Sequence, residues 1–165
     1  MNLNNLPEGA TLGEVSIEKV RAIWDKIKGF DKLFTDDVRW DEEWFMRRVY
    51  APDTVFFEVD GGIMLLTDLK EGLMASAHLT FWDHKLSPRT QLIKDCLLWS
   101  FLRYDLHRIE IIIPEFSRAL RRFVNEKLGF TFEGRLRSRM WYMGNLCDSL
   151  VYSILKEEAT QWVQL

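Results

Sequence analysis

The stretch that decides the fold is LHRIEIIIPEFSRALRRFVNEKLGFTFEGRLRSRMWYMGNLCDSLVYSIL, residues 106–155. Residues 109–113 are almost all apolar, which predicts a strand that is buried on both faces and ends at Pro114. A helix over 116–128 follows, and Gly129 is placed to end it in a left-handed conformation. A buried strand followed at once by a helix indicates a sheet that is covered by helices.

The chain on either side of this unit completes a mixed fold. Downstream, a turn at 143–145 predicts a hairpin of two strands, 130–142 and 149–155. Upstream, the pattern predicts strands at 11–15, 54–59, 63–67 and 73–82, and helices from Ser16 to Gly29, at 41–50 and at 88–104 with Ser87 as its N-cap. We therefore expect an α/β (α+β) fold with a mixed, mostly antiparallel sheet flanked by helices.

Size and charge narrow the function classes. The 165 residues, of 19.6 kDa, predict one domain over 1–165, with a polar arm at 1–9 and a C-terminal tail at 157–165. A net charge of -3 argues against bulk attraction to nucleic acid or to an anionic membrane. The first residues lack the features of a signal peptide, and no stretch approaches the ~18 apolar residues of a membrane span, so a cytoplasmic protein is expected. The two cysteines lack metal-ligand spacing, and no metal is expected.

Several motifs follow one another in a fixed order through the last third of the chain. They are Leu106-His107-Arg108-Ile109-Glu110, Glu126-Lys127-Leu128-Gly129-Phe130, Phe132-Glu133-Gly134-Arg135-Leu136-Arg137, Gly144, Asp148 and Tyr152-Ser153-Ile154-Leu155. This ordered set resembles the GNAT superfamily of acyl-CoA-dependent N-acetyltransferases, and within it the group that acetylates ribosomal-protein N-termini. The order of predicted elements fits that fold over about residues 10–156.

The resemblance implies a site for acetyl-CoA, used as a cosubstrate, between two strands that splay apart at the centre of the sheet. These strands are 73–82 and 109–113. The pantetheine arm would pair with the backbone near Leu79 and Thr80. The pyrophosphate would rest on N–H groups at the start of the next helix, where unpaired donors and positive potential favour an anion.

The loop before that helix departs from the family pattern, Arg/Gln-x-x-Gly-x-Gly/Ala. Lys85, Ser87 and Arg89 stand where glycines are usual, whereas Thr90 matches a common residue. Either the charges of Lys85 and Arg89 hold the phosphates, or the pocket is lost. Ser117 and Arg118 stand near the position of a family asparagine, which makes them further candidates for cofactor binding.

Three residues are candidates for the chemistry. Glu110 matches a family glutamate and could act as a base, although an ion pair with Arg108 or with an arginine of the next helix is the structural alternative. His78 lies in the strand where several relatives place a base, and the alternative is an ordinary strand histidine. Asn125 replaces the tyrosine that protonates the departing thiolate in relatives; it could still hydrogen-bond the sulfur or the thioester oxygen.

These features favour an N-acetyltransferase in which an amine attacks acetyl-CoA directly in a ternary complex. The acceptor would be a protein N-terminus, a lysine or a small molecule. The alternative is a GNAT-fold scaffold without activity, acting on a macromolecular partner through an arginine-rich surface made of Arg118, Arg121, Arg122, Arg135, Arg137 and Arg139. Strand alternation would place the last three on one face. A nucleic-acid or membrane partner is not expected. The protein is expected to be either a monomer or a homodimer.

Overall fold

The computed structural model describes residues 6–12, 15–30, 33–36, 38, 41–82 and 89–163. The strands within these ranges are β1 (Ala10–Leu12), β2 (Val55–Val59), β3 (Gly62–Lys70), β4 (Met74–Phe81), β5 (Arg108–Pro114), β6 (Thr131–Tyr142) and β7 (Asn145–Leu155). The α-helices are α1 (Ile17–Ile27), α2 (Glu42–Val49), α3 (Thr90–Arg103), α4 (Arg118–Arg122) and α5 (Lys156–Thr160).

These strands form one sheet in the order β1-β2-β3-β4-β5-β7-β6. Every neighbouring pair is antiparallel except β4 and β5, which run parallel. The parallel pair shares only three residue pairs, the last of which joins Ser76 to Glu110, and both strands then continue apart. The prediction of a mixed, mostly antiparallel sheet with a splayed central pair is confirmed.

Helices cover the two faces of the sheet unequally. On one face, Phe57, Leu66 and Ile109 are fully or almost fully buried in a large core that includes residues of α3 and α5. On the other face, Phe56 and its neighbours on β3 pack against α1 and α2 in a smaller core. Adjacent residues of β2 thus enter different cores, as the twofold periodicity of a strand requires.

The prediction that β5 is buried on both faces is wrong. Ile109, Ile111 and Ile113 are buried in the large core, but Ile112 is 39% exposed and lies on the other face with Arg108 and Glu110. The small core does not extend to β5, because its members come from α1, α2, β2 and β3 and the chain around them. The apolar run therefore marks a strand with one open, partly polar face.

Several predicted boundaries also shift. The first strand, Ala10–Leu12, begins one residue earlier than predicted, and residues 13 and 14 of the predicted strand lie outside the described residues. The second hairpin strand begins at Asn145 rather than 149. The long helix begins at Thr90, with Arg89 and not Ser87 at its N-cap. The described residues of the predicted C-terminal tail, 157–163, lie in α5 and in a 3₁₀ turn, Gln161–Val163, and Ala159 is fully buried in the large core.

The helix predicted over 116–128 is shorter and changes its pitch. After α4, residues Phe123–Lys127 form a π-helical turn, and the N–H of Leu128 donates to the carbonyl of Phe123 over 3.2 Å. Such widened turns occur mostly as single interruptions of an α-helix. Gly129 follows with a φ of 78°, which is the left-handed conformation expected of a helix-ending glycine.

No helix in the described part of the chain is long and apolar enough to cross a membrane.

Gly62 provides a test of how closely β3 approaches the end of β4. A Cβ atom at this position would lie 2.3 Å from Cδ1 of Phe81 and 2.5 Å from the carbonyl oxygen of Thr80. We expect Gly62→Ala to lower the free energy of unfolding by about 1–3 kcal/mol, because the strand must shift to admit the methyl group. Gly29→Ala is the matched control, since nothing lies within 4 Å of its Cβ position. Denaturant titration that gave equal stabilities for the two variants would contradict this reading.

Candidate active site

The candidate site lies where β4 and β5 part. Beyond Ser76, residues Leu79 and Thr80 still pair with Met64 and Ile63 of β3, but the other edge of β4 no longer pairs with β5. A strand edge that leaves its neighbour directs N–H and C=O groups into the gap, where an extended ligand can pair with them. The two residues predicted to meet the pantetheine arm therefore lie on the open half of this strand.

Glu110 stands at the point of separation on the open face of β5. Its Oε1 accepts a hydrogen bond from the hydroxyl of Ser76 over 3.4 Å, and its Oε2 accepts one from Nη2 of Arg108 over 3.2 Å. Its side chain is 20% exposed. The ion pair named as the structural alternative is therefore present, and the carboxylate is also within reach of solvent.

Arg108 links Glu110 to a second carboxylate. Its guanidinium donates to both oxygens of Glu133 on β6, over 2.6 and 2.5 Å, and the hydroxyl of Ser153 donates to the same carboxylate over 2.5 Å. The hydrogen bonds from Arg108, followed by the one from Ser153, lower the pKa of Glu133 to about 2. Such two-pronged arginine–carboxylate pairs are geometrically specific, so this group locks β5, β6 and β7 together beside the gap.

His78 lies two residues beyond Ser76 on the same face of β4. Its Nε2 is 3.0 Å from the hydroxyl oxygen of Thr67, which in turn is 3.1 Å from Oδ2 of Asp68. Asp68 also accepts a hydrogen bond from Nη2 of Arg48, at the end of α2, over 2.6 Å. The pKa of His78 is lowered to about 4. Although the residue is exposed, the largest cause is desolvation of the ring by the surrounding protein. The positive charge of Arg48 acts in the same direction, and Asp68 opposes both.

Three further predicted residues lie in or directly before the helix after β5. Nδ2 of Asn125, in the π-helical turn, donates to the carbonyl of Phe130 over 2.8 Å. Ser117 is the N-cap of α4, although its side chain does not cap the helix. Arg118 borders a cleft of about 510 Å³ together with Glu115, Phe116, Arg121, Leu146, Cys147 and Asp148.

At the start of α3, the side chain of Arg89 is turned towards the β2–β3 turn. Its Nε donates to the carbonyl of Asp60 over 2.5 Å, and its guanidinium lies 4.9 Å from the centre of the Phe81 ring. Thr90 is the first residue of the helix. The side chain of Arg89 is therefore already bound by residues of the fold. Lys85 and Ser87 lie outside the described residues.

The arginines are distributed differently from the prediction. Between Leu136 and Met140 the register of β6 against β7 shifts, and Ser138 has a φ of 49°, so the simple alternation that would align three arginines is broken. Arg135 pairs with Glu115 and Asp148, at 2.6 and 3.2 Å. The exposed arginines of β6 are therefore partly neutralised by carboxylates of neighbouring elements.

Sequence reasoning missed Arg48, Thr67, Asp68, Glu133 and Ser153. Arg48 belongs to α2, whereas Thr67 and Asp68 belong to β3, which is separate from α2 in the sequence, and 68–72 reads simply as a turn. Only Arg108 and Glu110 carried a signal, because residues two apart on a strand share a face. The described residues contain no group of three or more His, Cys, Asp or Glu side chains placed to hold a metal ion.

No protein-family model and no curated protein matches this chain, but solved structures do. A mutant of the spermidine N-acetyltransferase SpeG from Vibrio cholerae matches with a TM-score of 0.74 and 18% identity over 94% of this chain and 98% of that one. A chimera of Vibrio cholerae SpeG and hSSAT gives 0.74 and 18%, over 93% and 99% of the two chains. A presumed acetyltransferase gives 0.73 and 20%, over 95% and 88%. These likenesses show that the chain has the fold of the GNAT acetyltransferases.

The environment of His78 predicts an unusual titration. Because its pKa is lowered in the folded protein, the neutral ring stabilises the fold above the unfolded value of about 6.5, and this contribution is lost as the pH falls from there to about 4. In NMR spectra the ring signals of His78, assigned by their loss in His78→Gln, should not move through pH 6.5 and should titrate near pH 4. Arg48→Gln should raise this pKa, because it removes a nearby positive charge. A titration midpoint near 6.5 in the wild-type protein would contradict the assignment.

The pairing of Glu133 predicts a dependence of stability on acid. Its pKa is lowered from 4.5 to about 2, so its ionised form stabilises the fold above about pH 4.5 and this contribution disappears as the pH falls towards 2. We expect Glu133→Gln to be less stable than the wild-type protein at neutral pH, with a difference that shrinks steadily in acid. Glu71→Gln, at an exposed turn position, is the matched control and should show a much smaller difference. A Glu133→Gln deficit that stayed constant down to pH 3 would contradict the assignment.

Proposed function

We propose that the protein is an acyl-CoA-dependent N-acetyltransferase that transfers an acetyl group from acetyl-CoA to an amine. The observation that carries this proposal is the short pairing of β4 with β5, which stops after three residue pairs and leaves a gap between two strands at the centre of the sheet. The gap has a free strand edge on one side and the polar groups Ser76 and Glu110 at its narrow end. These features fit an extended, amide-containing cofactor whose reactive end meets acid–base groups.

Two parts of that cofactor, the pantetheine arm and the pyrophosphate, are each assigned to particular residues in this proposal. In this proposal the pantetheine arm lies along the backbone of Leu79 and Thr80. The pyrophosphate is proposed to lie at the start of α3, near the backbone of Arg89 and Thr90, with Lys85 and Ser87 as further proposed contacts. Because the Arg89 side chain already binds Asp60 and Phe81, Lys85 is the stronger candidate for a charged contact with phosphate. Ser117 and Arg118 are proposed to contact the cofactor from α4.

Bound acetyl-CoA would supply the acetyl group as an activated thioester. The residues of the chain then have two tasks. Glu110 and His78 are the proposed proton acceptors for the attacking amine, and each reaches the open face of the sheet. Asn125 is proposed to donate a hydrogen bond near the sulfur, using the amide N–H that is not bound to Phe130.

The amine acceptor is proposed to be a small polyamine in the first instance. The structural neighbours include spermidine N-acetyltransferases, and a chain of net charge -3 attracts a polycation. A protein N-terminus, as the sequence motifs suggest, and a lysine side chain are the other acceptors to test.

The proposal is tested by calorimetric titration with acetyl-CoA and with CoA, followed by an assay of thiol release with spermidine and other amines. We expect micromolar binding and turnover with at least one amine. Glu110→Gln and His78→Gln should bind acetyl-CoA normally, and loss of a general base should lower kcat by about 10²–10⁴. Glu71→Gln, at an exposed turn position, should behave as the wild-type protein does. Unchanged kcat in both base variants would remove these assignments.

Absence of binding at millimolar acetyl-CoA would overturn the proposed enzyme and favour the scaffold alternative. Lys85→Ala distinguishes the source of phosphate affinity. We expect it to weaken binding of acetyl-CoA while leaving thermal stability unchanged.

A further inference from the structure

A hydroxyl group stands between His78 and a carboxylate. Thr67, on β3, is fully buried, and its Oγ1 lies 3.0 Å from Nε2 of His78 and 3.1 Å from Oδ2 of Asp68. Both contacts are hydrogen bonds, and the one between the two oxygens is slightly long. The three side chains therefore form a continuous chain from the imidazole ring to the carboxylate.

The number of hydrogen atoms on these three side chains decides which group donates and which accepts in each hydrogen bond. A threonine hydroxyl carries one hydrogen, and an ionised carboxylate can only accept. If Thr67 donated to His78, two oxygen lone pairs would face each other at 3.1 Å across the gap to Asp68. The arrangement that satisfies every group has Thr67 donating to Asp68 and Nε2–H of His78 donating to Thr67. In that arrangement Nδ1 is the unprotonated nitrogen of the ring.

Two further features hold the carboxylate in place. Arg48 donates to Oδ2 of Asp68 over 2.6 Å and orients the carboxylate. Asp68 has a φ of 52°, an uncommon value for a residue other than glycine, and lies where the register between β3 and β4 is interrupted after Thr67. Bulges of this kind re-aim side chains and are common beside active sites. The backbone is thus distorted at Asp68, the last of the three hydrogen-bonded residues.

We propose that Thr67 and Asp68 are positioning residues that hold His78 in the tautomer protonated on Nε2, so that Nδ1 is the atom that accepts a proton from the amine. The tautomer is a property of the protein alone. The proton transfer rests on the proposed function. As the amine nitrogen bonds to the acyl carbon, its N–H bond breaks, the electron pair stays on nitrogen, and Nδ1 takes the proton. Nδ1 then returns the proton to the sulfur, which leaves with the electron pair of its broken bond to carbon as a free thiol.

The expected consequence for the ring can be measured without any ligand. Long-range ¹H–¹⁵N correlation spectra of the labelled full chain at pH 7 report which nitrogen of His78 is protonated. We expect Nε2–H to predominate in the wild-type protein. Thr67→Val keeps the shape and removes the hydroxyl, and the ratio of the two tautomers should fall by a factor of about 2 to 10, the equivalent of one net hydrogen bond.

Two other variants keep the test independent of folding. Thr67→Ser restores a hydroxyl and should recover the tautomer ratio of the wild-type protein. Thr54→Val is the matched control, because the Thr54 hydroxyl is buried and has no hydrogen-bond partner in the described part of the chain. It should leave the spectrum of His78 unchanged.

A ring protonated mainly on Nδ1, or a ratio that Thr67→Val leaves unchanged, would overturn the proposal. If acetyl-CoA fails to bind while the tautomer responds as expected, the proposed function is wrong, whereas the positioning role of Thr67 and Asp68 is supported. If the protein does acetylate an amine, Thr67→Val should lower kcat with little effect on KM, and Thr67→Ser should restore it. Equal kcat values for Thr67→Val and the wild-type protein would overturn the catalytic part of the proposal.

Discussion

The rest of the site depends on one constraint, the end of parallel pairing between β4 and β5 after Ser76 and Glu110. Each strand remains paired on its other edge, β4 with β3 and β5 with β7, so the sheet tolerates the opening without losing either strand. Beyond Ser76, the backbone N–H and C=O groups on one edge of β4 therefore form no hydrogen bonds with β5, although the strand lies in the middle of the sheet. A protein that keeps such a gap gains a place where a ligand can act as a short additional strand.

The two faces of the sheet serve different purposes around that gap. On the buried face, alternate isoleucines of β5 enter the large core, and this packing fixes the strand firmly. On the open face, side chains of the same strand are held by charge-assisted hydrogen bonds instead. Arg108 connects Glu110 to Glu133 and donates to both oxygens of Glu133. Ser76 donates to the other oxygen of Glu110, and Ser153 adds a second hydrogen bond to Oε1 of Glu133. Polar groups beside a gap therefore stay ordered without being covered, because each has a partner.

The same principle organises the neighbourhood of His78, where residues of α2, β3 and β4 meet. An exposed histidine would ordinarily change its charge near neutral pH, but desolvation and Arg48 hold this ring neutral. The loop residue Arg89 shows the opposite outcome. Its guanidinium binds the carbonyl of Asp60 in the β2–β3 turn and the face of the Phe81 ring, so the side chain at the start of α3 is already bound within the fold. Charge in a sequence motif is thus available to a ligand only when the fold leaves it unpaired.

The sequence alone determined the order of the elements and most of their extents, because apolar periodicity, helix caps such as Ser16 and the glycine after the π-helical turn act over a few residues. It also singled out Glu110 and His78. It did not reveal that β5 has an open face, since a run of isoleucines reads as buried whichever elements cover the sheet. Nor did it reveal the partners of His78, because Arg48, Thr67 and Asp68 become neighbours only when α2 packs beside a distorted β3. Local patterns specify the elements, whereas hydrogen-bond partners distant in sequence are decided by packing.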